Sequence, residues 1–157
     1  MKRLAICLAA ALVAAVVLSP APAWAQTETR VTGGGGGVFP SGATFNDVPL
    51  AGLKFGMGVI ISADGPAKGQ FQATLLGPSA SIEINGKVSA GSTGSGGTAT
   101  LSGACSLDLG DGNLPLLNVP FTVAVTTNAE GRGALGLVIG ATSLPAVTVN
   151  EGSMTIQ

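Results

Sequence analysis

The sequence predicts an all-β domain, an antiparallel barrel or sandwich of about eight to ten short strands, behind an N-terminal export signal. Three observations predict it. Apolar residues recur at every second position over short runs, as on strands with one face in a core and one in water. No window of about twelve residues within 26–157 carries the 3.6-residue period of an amphipathic helix, because Gly or Pro interrupts each one. Twenty-five glycines and nine prolines stand among 157 residues, and they fall where turns are needed.

The leader comes first. Met1-Lys2-Arg3 is basic, Leu4 to Leu18 is apolar, and Ser19-Pro20-Ala21-Pro22 breaks the run before Ala23-Trp24-Ala25. A basic start, an apolar stretch and an A-x-A site together predict a signal peptide over 1–25. One β domain over 26–157 follows, long enough to bury roughly two-thirds of its unfolded surface. The expected location is outside the cytoplasm, extracellular or periplasmic.

The predicted strand cores are 27–32, 43–47, 53–63, 69–76, 80–91, 98–109, 120–128, 133–140, 146–150 and 152–157. In the third, Leu53, Phe55, Met57 and Val59 share one face, and Lys54, Gly56 and Gly58 the other. In the sixth, Leu101, Gly103, Cys105, Leu107 and Leu109 oppose Thr100, Ser102, Ala104, Ser106 and Asp108. Phe121, Val123 and Val125 define the apolar face of the seventh, and Leu135, Leu137 and Ile139 that of the eighth. Within 80–91, Asn85-Gly86 suits either a two-residue hairpin turn or a continuous strand with a Gly bulge, and both readings stay open.

Three connections follow from composition. Gly33–Gly37 reads as a flexible link between the first strand and the body. Gly91 to Gly97 reads as a Gly/Ser loop, and Asp108 to Asn118 as a loop before the strand opening at Pro120. The segments 59–73 and 123–135 resemble each other: Asp64-Gly65 then Lys68-Gly69, and Glu130-Gly131 then Arg132-Gly133. Shared turn chemistry explains the likeness, with an internal duplication as the alternative.

Composition excludes several functions. Lys2 and Arg3 belong to the leader, so 26–157 holds five of the seven basic residues against all eight acids. No basic cluster exists, which argues against nucleic acid as a partner. The chain has no His or Tyr, and its one Trp, Trp24, lies in the leader. Ser-His catalysis is impossible, and no Ser stands three residues before a Lys. Cys7 leaves with the leader, so Cys105 has no disulfide partner and reads as a small buried hydrophobe. The absence of interfacial Tyr and Trp argues against an outer-membrane barrel.

The remaining motifs are weak. Gly131-Arg132-Gly133-Ala134-Leu135-Gly136 matches the dinucleotide fingerprint, but a strand follows where a helix is required. No Walker pattern follows Gly33–Gly37. Asp108, Asp111 and Asn113 offer oxygens, but Gly110 and Gly112 occupy positions three and five of a calcium loop counted from Asp108. Glu28, Asp47, Asp64, Asp108, Asp111, Glu130 and Glu151 fall at strand ends or in turns, Glu83 lies on a polar face, and none has aromatic neighbours for a sugar. No catalytic, cofactor-binding or metal residue is predicted, and no cofactor.

Three segments carry a resemblance. Gly35-Gly36-Gly37-Val38-Phe39 to Ala43-Thr44-Phe45, Thr98-Ala99-Thr100-Leu101-Ser102-Gly103-Ala104-Cys105, and Pro120-Phe121-Thr122-Val123-Ala124-Val125-Thr126-Thr127-Asn128 resemble small secreted bacterial β-domains of the post-COAP type. The usual D-N-G-x turn of those domains stands here as Asn128-Ala129-Glu130-Gly131. The resemblance implies an exported all-β module with a Gly-rich lead-in, and brings no site residues with it.

The expected function is therefore non-enzymatic: a cell-surface or extracellular module that binds or structures its surroundings. Its weakly charged wet faces of Thr, Ser, Ala and Gly suit an extended extracellular partner or self-association. The alternative is a small barrel carrying an apolar ligand, in space left by small inward residues such as Gly103 and Ala99.

Overall fold

The computed structural model describes residues 27–157. The predicted leader, 1–25, lies outside the described residues. Eleven strands form: β1 (Thr29–Val38), β2 (Thr44–Phe45), β3 (Val48–Pro49), β4 (Gly52–Ile61), β5 (Pro66–Leu76), β6 (Ser81–Gly94), β7 (Thr98–Asp108), β8 (Leu116–Thr127), β9 (Gly133–Ile139), β10 (Thr142–Ser143) and β11 (Val147–Ile156). No helix occurs among the described residues, and none is long and apolar enough to cross a membrane.

Eight strands close on themselves. β1, β4, β5, β6, β7, β8, β9 and β11 are neighbours in that order, every ladder is antiparallel, and β11 returns to β1. An even strand number lets an up-and-down meander end antiparallel to its start, so the sheet closes on itself and leaves only short unpaired stretches at strand ends. The fold is thus a barrel rather than a sandwich. β10 pairs with the end of β9 as an extra strand. The short β2–β3 hairpin turns through Asn46 and Asp47, both with positive φ, as a two-residue type I′ turn demands.

The inner wall is the apolar face seen in the sequence. Leu53, Phe55, Met57, Val59, Leu101, Cys105, Leu107, Phe121, Val123, Val125, Leu135, Leu137 and Ile139 are all buried. No polar or charged side chain is buried among the described residues. The Phe71 and Phe121 rings stack at the centre, 5.8 Å apart and 20° from parallel. Gly86 makes room for them: a Cβ there would stand 2.7 Å from the Phe121 ring. One barrel end is closed by the 39–51 connection, whose Phe39, Ala43, Phe45 and Leu50 join the core.

The structure corrects three local readings and decides between the two left open at Asn85-Gly86. Gly33–Gly37 is not a flexible link but the middle of β1, paired on both sides, with β4 and with β11. Asn85-Gly86 lies inside a continuous β6, and the irregularity in that strand falls at Ser89, between Val88 and Ala90. β6 continues through Gly94, so the predicted Gly/Ser loop shrinks to Ser95-Gly96-Gly97. Segments 146–150 and 152–157 are one strand, β11, bulged opposite Gly36 and Gly37.

The two look-alike hairpins share their turn geometry. Gly65 and Gly131 both have positive φ. The Gly65 N–H donates to the Ser62 carbonyl, and Gly131 N–H to Asn128. Ser62 N–H reaches the Pro66 carbonyl, and Asn128 N–H that of Arg132. A left-handed residue that ends a tight turn selects Gly, and this need accounts for the repeated pattern.

Candidate functional site

Outward residues of β4, β5 and β6 build a polar concavity. Cross-strand pairing sets Gly56 beside Gln72 and Gln72 beside Asn85. One step along, Gly58, Gln70 and Lys87 form a second row, and Lys54, Thr74 and Glu83 a third. A Cβ at Gly56 or Gly58 would meet nothing within 4 Å. The two glycines therefore leave bare backbone as the floor of a trough, with longer side chains along its side. Two open depressions, of about 400 Å³ and 510 Å³, share Gln72 and Asn85.

The chemistry here is that of hydrogen bonding. Carboxamides of Gln70, Gln72 and Asn85 each offer donors and an acceptor, and Lys54, Lys87 and Glu83 add charge at the margins. Phe55, which borders the trough, is buried, and Glu83 at the margin lies directly across from Asp108 of β7. The sequence had placed Lys54, Gly56 and Gly58 on a wet face. It did not bring them to Gln72 and Asn85, because that step needs the strand register.

The sequence's other candidates are placed as follows. Asp108 accepts from the Gly110 N–H at 2.9 Å. Asp111 accepts from the Asn113 N–H at 3.0 Å and from its side-chain amide at 2.9 Å. The Asn113 side chain first, then its backbone N–H, holds the Asp111 carboxyl below its ordinary pKa. These bonds organise a solvated turn. Among the described residues no three His, Cys, Asp or Glu side chains gather as a metal cluster. Gly131 lies in a turn and Gly133 and Gly136 in β9, so the G-x-G-x-x-G segment opens a strand. Glu151 is exposed on β11.

Cys105 is buried and unbridged. Burial pushes its thiol above the ordinary value, which removes the thiolate a nucleophile needs. Cys105→Ala is expected to cost roughly 1–2 kcal/mol or less, the loss of one small apolar group. Denaturant midpoints measure this. Iodoacetamide labelling of the folded protein is expected to be slow until unfolding begins.

One surface was missed by the sequence reading. Leu114, Leu116 and Leu117 are exposed at 92 %, 51 % and 72 %. β8 begins at Leu116, four residues before the predicted strand. The available signal was Leu114-Pro115-Leu116-Leu117 itself, an apolar run in a stretch assigned to a solvated loop.

No protein-family model, no curated protein and no solved structure matches this chain.

Proposed function

We propose that the chain is an exported, non-enzymatic module that holds an extended polar partner of the cell's surroundings in the β4–β6 trough. The observation that carries this reading is the side-chain-free floor at Gly56 and Gly58, bordered by the carboxamides of Gln70 and Gln72 and, beyond them, Asn85. Bare backbone admits a close-lying chain, and Gln70, Gln72 and Asn85 can exchange hydrogen bonds with it.

The filled interior favours the outer wall over an internal ligand. Phe71, Leu53, Leu75, Ile84, Leu101 and Leu135 are fully buried inside, and Phe121 covers Gly86. The outer wall also supports a protein working in water after leader cleavage. Lys54, Lys68, Gln70, Gln72, Glu83, Asn85 and Lys87 are exposed on it, where a lipid-facing barrel carries an apolar band. The acid excess of 26–157 disfavours nucleic acid. The buried Cys105 thiol favours a binding role over nucleophilic catalysis.

A doubly filled trough tests the reading. Gly56→Arg/Gly58→Glu adds two side chains without changing net charge. Both Cβ atoms enter open space, so stability is expected to hold within about 0.5 kcal/mol. The exported protein is expected to co-sediment with the insoluble polysaccharide of the cell envelope, and the variant to remain in the supernatant. Equal sedimentation of both, or of neither, overturns the proposal.

A further inference from the structure

The rim at the start of β8 differs from the rest of the barrel wall. β9 pairs with β8 over Phe121–Thr127. It stops at the turn through Gly140, whose N–H takes the Pro120 carbonyl. Leu116 runs on past that turn, paired with Leu107 of β7 but not with β9, and Leu117-Asn118 forms a bulge in the β7 ladder, with Asn118 at positive φ. The closed barrel therefore keeps one short free edge, and its exposed leucines stand at that edge. Free edges are commonly blunted with charged side chains, lysine above all. Here no charge stands on the edge: Pro115, Pro120 and the Asn118 bulge confine it to a short stretch, and its exposed side chains are leucines.

Charge at this rim is one-sided. Glu83 and Asp108 are direct cross-strand partners, an arrangement of like charges that destabilises a sheet. Asp111 stands in the adjoining turn, and Asp47 in the β2–β3 turn at the same barrel end. Among the cations, Arg30, Lys68 and Arg132 lie toward the opposite rim and Lys87 at mid-strand, leaving Lys54. No lysine or arginine among the described residues forms an ion pair with Glu83, Asp108 or Asp111.

We infer that the Leu114–Val119 edge docks an extended, basic and apolar segment of a partner protein, which adds alongside β8. The leucines supply buried area, the free edge supplies backbone hydrogen bonds, and the acids select Lys or Arg on the incoming strand. A second copy of this chain presents the same acids and is repelled. Anionic lipid is repelled for the same reason. This docking shares Glu83 with the margin of the β4–β6 trough and otherwise uses different residues.

The test uses amide NMR of the exported protein with a blocked heptapeptide, Lys-Val-Thr-Val-Thr-Val-Lys, and its Glu-for-Lys counterpart. The Lys peptide is expected to shift amides within 107–120 and 139–143, more weakly as salt rises, and the Glu peptide to shift none. Leu114→Ser/Leu117→Ser is expected to weaken binding about tenfold or more while keeping the parent melting temperature, since both side chains are exposed. Several outcomes overturn the inference: no shifts with the Lys peptide, shifts centred on the trough, equal response to both peptides, or unchanged binding by the variant. A destabilised variant also overturns it, by making the leucines structural. So does self-association, or binding to phosphatidylcholine vesicles, that the variant abolishes.

Discussion

Leu101→Asp is expected to yield a chain that no longer folds cooperatively. Leu101 is 0 % exposed in the middle of β7, between Gly91 of β6 and Val123 of β8. Two costs combine. Removing a buried leucine side chain forfeits about 2–5 kcal/mol of packing and transfer energy. Placing a carboxylate there adds several kcal/mol more, because no buried polar or charged side chain stands in this core to receive it. Protonation would relieve the charge but leave a carboxylic acid without partners. Together the costs reach the whole stability of an ordinary domain, about 5–15 kcal/mol. Thr100→Asp is the control. Thr100 is exposed on the opposite face of the same strand, and the change is expected to stay within about 0.5 kcal/mol. Far-UV circular dichroism in urea is the measurement, since residues 26–157 contain no Trp or Tyr. A cooperative Leu101→Asp transition near that of the parent would refute the inward assignment of this face.

The period of two made that assignment possible from sequence. Leu101, Cys105 and Leu107 alternate with Thr, Ser and Ala, so burial follows spacing alone, and the structure buries all three. Closure into a barrel was not legible in the same way. It depends on β1 meeting β11, and the middle of β1 is five identical glycines. Alternation shows in a sequence only where inward and outward residues differ. The trough lay half in view, because Gly56 and Gly58 were on a wet face but their partners came from the register of β5 and β6. The leucine edge was missed for a different reason. Asp108 through Asn113 does form a turn, with Gly110 and Gly112 at positive φ. Pro115 and Asn118 extend those loop signals to the end of the segment, and Leu114 and Pro115 do lie outside β8, but the strand already begins at Leu116 and bulges at Asn118.

The glycine run in β1 supplies the second large effect. Gly35→Ala is expected to destabilise the barrel by about 3 kcal/mol or more, near the upper end for a forced overpacking. A Cβ at Gly35 would stand 2.0 Å from the Glu151 carbonyl oxygen, 2.9 Å from its carbon and 3.0 Å from Gly152 Cα. These are backbone atoms of the neighbouring strand, so no side chain can swing aside. β11 itself has no slack at that point, because Gly152 has φ +84° and a Cβ there would stand 2.0 Å from the Gly34 carbonyl oxygen. Relief requires the β1–β11 seam to part, and that seam is where the meander closes. Gly34→Ala makes the comparison decisive. Its Cβ would lie 3.5 Å from the Phe55 carbonyl oxygen, an ordinary contact, and the residue is exposed. Because alanine also restricts the unfolded chain, this change is expected to be neutral or to stabilise by up to about 1 kcal/mol. The five glycines thus carry a hidden period of two: 33, 35 and 37 are blocked by β11, with hypothetical contacts of 2.8, 2.0 and 2.3 Å, while 34 stands clear at 3.5 Å and 36 is tight but less obstructed at 3.3 Å. Alanine at each of the five in turn, read by denaturant midpoint, should give a saw-tooth. A flat profile would mean that this stretch is a loose connection after all and that the barrel does not close through it.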